Sequence, residues 1–197
     1  MTLIKSISGI RGTIGGFPGN NLTPLDVVKY ASAYGMWLKS RSKYKIKVVV
    51  GRDARISGLL VQNIVGSTLQ SLGIDVIDLG LSTTPTVEIA VPMEKASGGI
   101  ILTASHNPKQ WNALKMLNEK GEFVSANDGN EILRIAEEEN FEYALIDDLG
   151  HIEKKDYLQK HINAILALPS VDIESVKSSK FKVVVDAVNS SGGIYLP

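Results

Sequence analysis

Between Gly98 and Lys115 the chain reads GGIILTASHNPKQWNALK, an apolar run that delivers Ser105, His106 and Asn107, with Lys109 and Lys115 close behind. A strand that ends in such a loop is where open α/β sheets place ligands, beyond the carboxyl ends of the strands. A serine hydroxyl is a weak nucleophile, activated by a neighbouring base or by prior phosphorylation. Ser–His pairs are common, however, and this one standing alone reads as an exposed turn.

Three other segments bear on that reading. Ser8-Gly9-Ile10-Arg11-Gly12 sets one arginine between glycines, which lets backbone approach a ligand closely. Gly51-Arg52-Asp53-Ala54-Arg55 brings two guanidiniums to the end of another strand, where bidentate contacts to phosphate or carboxylate are natural. Lys115 lies ten residues past Ser105. Taken singly, each has a plainer alternative: a flexible amino-terminal turn, an Arg52–Asp53 salt bridge, a solvated lysine. For Arg52 and Asp53 the salt bridge is the preferred reading, because adjacent opposite charges often tie loops together.

The elements that must position these residues alternate strand and helix. That pattern argues for an α/β fold with a mixed, mostly parallel sheet sandwiched by helices. Thr23 as cap, Pro24 in the first helical position and Asp26 three residues after the cap predict a helix start. Leu22 and Val27 have the spacing of a hydrophobic staple, and Val27, Ala31, Tyr34 and Leu38 then share a face. Lys45–Gly51 reads as a buried strand, and a helix capped by Ser57 runs to Leu72 with Gly73 as its stop. A strand over 74–79, a short helix over 86–93, strands over 99–102 and 113–117, and a helix over 127–139 follow. After the irregular, acidic stretch 140–150, a helix over 154–168 and a strand over 181–186 are predicted, then a turn over 189–193. Residues 1–150 thus read as one domain, and residues 151–197 as the beginning of a second, truncated one.

Composition narrows the classes. Lys plus Arg and Asp plus Glu are equal at 21 each, so no global field draws the chain to nucleic acid or an anionic membrane. Anion binding must be local. With no cysteine among the 197 residues, disulfide scaffolds, thiolate zinc sites and a cysteine nucleophile are excluded. MTLIKSISGIRG lacks the apolar core of a signal peptide, and no apolar run is long enough to span a bilayer, so the cytoplasm is the expected location.

Taken jointly, SGIRG, GRDAR, TTPT, TASHNPKQWNALK and VVVDAVNSSGG, in this order, resemble the α-D-phosphohexomutases: phosphoglucomutase, phosphomannomutase and phosphoglucosamine mutase. The resemblance spans nearly the whole chain, with Thr103–Pro108 its most specific piece. It implies the first, catalytic-serine domain of such an enzyme. Ser105 would carry a phosphoryl group, give it to a hydroxyl of a hexose monophosphate and take the other phosphate back from the bisphosphosugar. Because phosphoserine carries about −1.5 to −2 charge, its site needs cations, and Arg11 and Lys115 match the family positions that supply them. Ser8, Arg11 and Lys115 are the expected substrate contacts. His106 matches a family histidine, as general base or phosphate-orienting group. Asn107 and Pro108 would fix the loop through an Asx-type bond and a locked φ. The resemblance further implies magnesium, with Ser105 its one ligand here and the rest in a second domain. Hexose phosphate, hexose bisphosphate and the carboxyl-terminal domains are the implied partners; nucleic acid and membrane are not.

Where the family usually has Tyr-Asn-Gly, this chain has Trp111-Asn112-Ala113, so a positive φ at residue 113 is in doubt, while Lys115 stays in register. The family's acidic metal loop, sugar-reading loop and last phosphate-binding loop are expected beyond residue 197. This chain alone is therefore expected to keep a phosphorylatable serine and to lack turnover. Glucose, mannose and glucosamine phosphates stand as alternative substrates. The competing reading is a non-catalytic module holding a sugar phosphate on Arg11 and Lys115. A nucleotide-binding domain is disfavoured, since neither G-x-x-x-x-G-K-[ST] nor G-x-G-x-x-G occurs.

Overall fold

The computed structural model describes residues 1–6 and 9–196. In chain order the elements are β1 (Ile4–Ser6), β2 (Gly9–Thr13), α1 (Pro24–Arg41), β3 (Lys47–Arg52), α2 (Gly58–Ser71) and β4 (Asp75–Leu81). Then come α3 (Thr84–Met93), β5 (Gly98–Leu102), β6 (Trp111–Leu117) and α4 (Ala126–Glu138). After a 3-10 turn at Ile146–Asp148, the chain continues as β7 (Ile152–Lys154), α5 (Leu158–Leu166), α6 (Ile173–Ser178) and α7 (Gly192–Tyr195).

The strands form one mixed sheet in the order β1-β2-β6-β5-β3-β4-β7. The pairings β5–β3, β3–β4 and β4–β7 are parallel; β1–β2, β2–β6 and β5–β6 are antiparallel. Only the central and β7-side strands follow the crossover pattern that the strand–helix alternation predicts. The amino-terminal pair and β6 close the other side. One face packs on α1, α2 and α4 through a core that includes Trp37, Val48, Val65, Ile100 and Ile132. The other face meets α3 and Tyr157 through Val49, Ile77, Val87, Val91 and Ile101. Among the described residues no helix is long and apolar enough to cross a membrane.

Local sequence explains the frame. Thr23 and Asp26 form the predicted capping box at the start of α1, with Pro24 inside the first turn. Tyr34, fully buried on α1, donates its hydroxyl to the Leu117 carbonyl at 2.7 Å and to the Gly99 carbonyl at 3.2 Å. That hydroxyl would lie 2.1 Å from a Cβ placed on Gly98, so the GG of GGIIL leaves room for the bond that ties β5 to β6. The strand that bears the serine loop is thereby anchored at its start.

Two expectations fail past residue 150. Where a helix from Lys154 was predicted, Ile152–Lys154 instead extends the sheet, with Val76 facing Ile152 and Asp78 facing Lys154, and α5 starts only at Leu158. Three residues are too few to show a period-two signal. Tyr157 then buries itself against the α3 face. The predicted strand at 181–186 does not form: Phe181 is 72% exposed and Val184 98%. A β-strand needs a partner for its backbone hydrogen bonds, and none of the described strands pairs with this run.

Candidate active site

Ser105 sits just beyond the carboxyl end of β5, exposed, with φ +52. A left-handed conformation at a residue with a Cβ costs about 1–2 kcal/mol and persists only where the surroundings impose it. The Ser105 Oγ accepts a hydrogen bond from Lys115 Nζ at 2.9 Å. Lys115 reaches it from β6, which runs antiparallel to β5 with Ile101 opposite Lys115.

Arg11 comes from the next strand. On β2 it lies opposite Ala113 of β6, so Arg11 and Lys115 are diagonal neighbours on one face of the sheet, roughly 7–8 Å apart at the backbone. Both line, with Ser105, His106, Asn107 and Phe123, a cavity of about 270 Å³. His106 is exposed along this cavity. The predicted convergence of serine, histidine, arginine and lysine is present. Ser8 lies outside the described residues.

Of the glycines around Arg11, Gly9 lines the cavity and also serves a close approach within the sheet. Gly9, at φ +124, would place a Cβ 2.4 Å from the Leu114 carbonyl oxygen. The close approach is therefore to the neighbouring strand β6, and it carries Arg11 into register beside Lys115.

GRDAR corrects two expectations. The ion pair is Asp53–Arg55 (3.1 Å), not Arg52–Asp53. Arg52 turns to Gln62 Oε1 at 2.8 Å and to the Asp53 carbonyl at 3.1 Å. Arg55 is not free for a phosphate either. Its Nη1 donates to the carbonyls of Pro108 (2.8 Å) and Trp111 (3.0 Å), and its Nη2 to those of Ser105 (2.8 Å) and Asn107 (2.7 Å). With Nε on Asp53, all five guanidinium N–H groups are engaged. Asp53 also accepts from Thr103 Oγ1 at 2.6 Å, and Thr103 Oγ1 accepts from the Ser105 amide at 3.1 Å.

The loop is thus held from outside. The Asn107 side chain makes no hydrogen bond among the described residues; the backbone N–H of Asn107 donates to the Ala104 carbonyl at 3.0 Å, in place of the expected Asx-type bond. Ser57 does not cap α2 with its side chain; its hydroxyl instead accepts from Asn112 Nδ2 at 3.0 Å, which pins the buried start of β6. Ala113, the departure noted in the sequence, lies inside β6 and is not among the residues of positive φ, so the extra methyl meets no backbone conflict.

Around the serine the available groups are cations, a hydroxyl and a histidine, and no group of three His, Asp or Glu side chains that could hold a metal occurs among the described residues. Asp53 is occupied by Arg55 and Thr103, and Glu88 feels the charge of Lys115. Such an arrangement has the charge to suit an anion beside a hydroxyl.

A serine at a strand end, with a lysine on its hydroxyl and an arginine lining the same cavity, sits on a mixed sheet packed by helices on both faces, the frame of an α/β domain. Residues 3–143 match the family model of phosphoglucomutase/phosphomannomutase, alpha/beta/alpha domain I, and the chain belongs to that family. A phosphoglucomutase/phosphomannomutase of Thermococcus kodakarensis is 35% identical over 94% of this chain and 41% of its own length. A phosphoglucosamine/phosphogalactosamine mutase of Sulfurisphaera tokodaii is 33% identical over 96% of this chain and 40% of its own. The chain therefore spans about two-fifths of the length of these relatives. The solved structure of a putative phosphomannomutase from Thermus thermophilus superposes with a TM-score of 0.76 at 28% identity, covering 93% of this chain and 39% of that one. The open form of pp63/parafusin (phosphoglucomutase) from Paramecium also gives 0.76, at 20% identity over 99% of this chain and 41% of that one, which supports the fold alone.

Proposed function

We propose that this chain is the phosphoryl-carrying part of a phosphohexomutase, with Ser105 as the carrier. The observation that carries the reading is the exposed Ser105 hydroxyl held at 2.9 Å by Lys115, in a cavity that Arg11 also lines. Phosphoryl transfer needs in-line positioning and charge stabilisation more than covalent help from the protein. The serine oxygen attacks a phosphorus of a hexose 1,6-bisphosphate, the bond from that phosphorus to the sugar oxygen breaks, the serine's proton ends on that sugar oxygen, and hexose monophosphate leaves. The reverse step, with the other hydroxyl as acceptor, completes the isomerisation. Lys115 and Arg11 offset the phosphate charge, and His106 orients the phosphate or takes the acceptor's proton.

Phosphorylated, Ser105 would offer one phosphoryl oxygen to magnesium, a hard cation that prefers such ligands. The described residues around it supply no carboxylate cluster to complete a shell. This chain's own residues would hold the ion through that single oxygen only. In the same reading residues 151–197 lead into a second domain that supplies the remaining metal and sugar contacts, and the fragment alone has no turnover. The substrate is a hexose phosphate; the names of the relatives cover both plain and amino sugars.

The test is transfer from hexose 1,6-bisphosphate labelled in one phosphate. Label on the protein, matched one-to-one by released hexose monophosphate and absent in Ser105→Ala, is expected. Tight binding of hexose monophosphate with no transfer would instead favour the non-catalytic binding module.

A further inference from the structure

We infer that Arg55 is the positioning residue of Ser105: its five-donor fork closes the loop into the one shape in which the serine backbone is left-handed and the hydroxyl meets Lys115. This rests on the reading of Ser105 as phosphoryl carrier for its consequence, but not for its geometry.

Three observations combine. The loop between β5 and β6 contains a non-glycine residue at φ +52, a strained state that needs external support. Four carbonyls between Ser105 and Trp111 converge on one guanidinium, whose side chain is only 11% exposed. Asp53 fixes that guanidinium through Nε and, through the Thr103 hydroxyl, also orders the Ser105 amide. Ser105 is thus gripped on both sides of its own residue: its N–H by the Thr103–Asp53 arm and its C=O by Arg55.

The charge arithmetic separates this role from phosphate binding. Arg55 is neutralised by Asp53 and has no N–H left, so it adds shape rather than charge to the cavity. A lysine in its place has three donors and no planar fork, and cannot span four carbonyls and a carboxylate together. The pocket cations Arg11 and Lys115 are left to face the phosphate, while Arg55 sets where the phosphate is carried.

The experiment compares the wild-type chain with Arg55→Ala, Arg55→Lys and Thr103→Val. Three quantities are read: amide exchange over residues 104–111, the 13C shifts of Ser105 that report a left-handed backbone, and the rate of Ser105 labelling by hexose 1,6-bisphosphate. In both Arg55 variants the loop amides should exchange at least about tenfold faster while core amides stay protected, and the left-handed signature should fade. Labelling should slow by about 100-fold at saturating bisphosphate, with half-saturation little changed, as misplacement of a reacting group does. Thr103→Val should show the same pattern more weakly. Low, non-denaturing guanidinium should restore labelling in Arg55→Ala and leave Lys115→Ala slow, which general destabilisation would not do. If Arg55→Ala fails to fold, Arg55→Lys and Thr103→Val carry the same readouts. Unchanged exchange and Ser105 shifts in the folded variants overturn the inference. Should wild-type Ser105 accept no phosphate even with the second domain joined to the chain, the proposed function fails, while exchange and shifts still decide the clamp.

Discussion

The serine loop and the stretch 181–186 invert what their sequences promise. FKVVVD has the β-branched composition of a buried strand, yet it forms no strand and is open to solvent, with Val184 98% exposed. The stretch TASHNP has turn composition, yet its backbone is fixed at both faces of Ser105 by side chains of Thr103 and Arg55. Propensity proposes a conformation; hydrogen-bond partners decide it. The loop has partners supplied by β3's end, fifty residues away in sequence, and the tail has none among the described strands.

Variants on the two regions should therefore differ sharply. Lys115→Ala removes the donor that reaches the Ser105 hydroxyl and should slow labelling by about 10²–10³-fold, as the loss of a preorganised donor does, with little change in melting temperature. A loss below tenfold would move the anion's support to Arg11. Tyr34→Phe leaves the Leu117 and Gly99 carbonyls short of their donor in the core and should cost about 1–3 kcal/mol in denaturant unfolding. It should also raise amide exchange at the start of β5.

Glu94, at the end of α3, pairs with Lys155 at 2.8 Å and with Lys160 of α5 at 3.5 Å, and these contacts should show in pH dependence. Burial pushes the Glu94 carboxyl up, but hydrogen bonds from Lys155 and Tyr157 and the charges of Lys155 and Lys160 outweigh it, bringing it down from 4.5 to about 2. A depressed carboxyl stabilises the fold above its unfolded value, so this contribution is complete above about 4.5 and fades as pH falls toward 2. Glu94→Gln should remove that part of the acid slope, measured by unfolding between those limits. At the far end of the scale, Val184→Asp should change stability by less than about 0.5 kcal/mol, since it alters an exposed side chain. A larger loss would mean that the tail packs on something.

Much of this was readable in advance for physical reasons that can be named. Thr23, Pro24 and Asp26 act within one turn, so the start of α1 follows from adjacent residues. Strand β5 and the serine loop follow from an apolar run and its sudden end. Arg11 and Lys115 were found through the family resemblance, and the register of β2 on β6 explains why they meet. What escaped was non-local. Nothing in GRDAR tells which carbonyls its second arginine will collect, because those carbonyls lie some fifty residues on. The three-residue strand β7 escaped because its pairing with β4 depends on a free sheet edge, not on its own composition.

The central claim is that a phosphate can be carried on Ser105 and on no other hydroxyl of the chain. Peptide mapping by mass spectrometry after exposure to hexose 1,6-bisphosphate tests it most directly. The prediction is a gain of about 80 Da, one phosphoryl group, confined to the peptide with Ser105 and missing from Ser105→Ala. A phosphate mapped elsewhere, or one that persists when Ser105 is replaced by alanine, would contradict it.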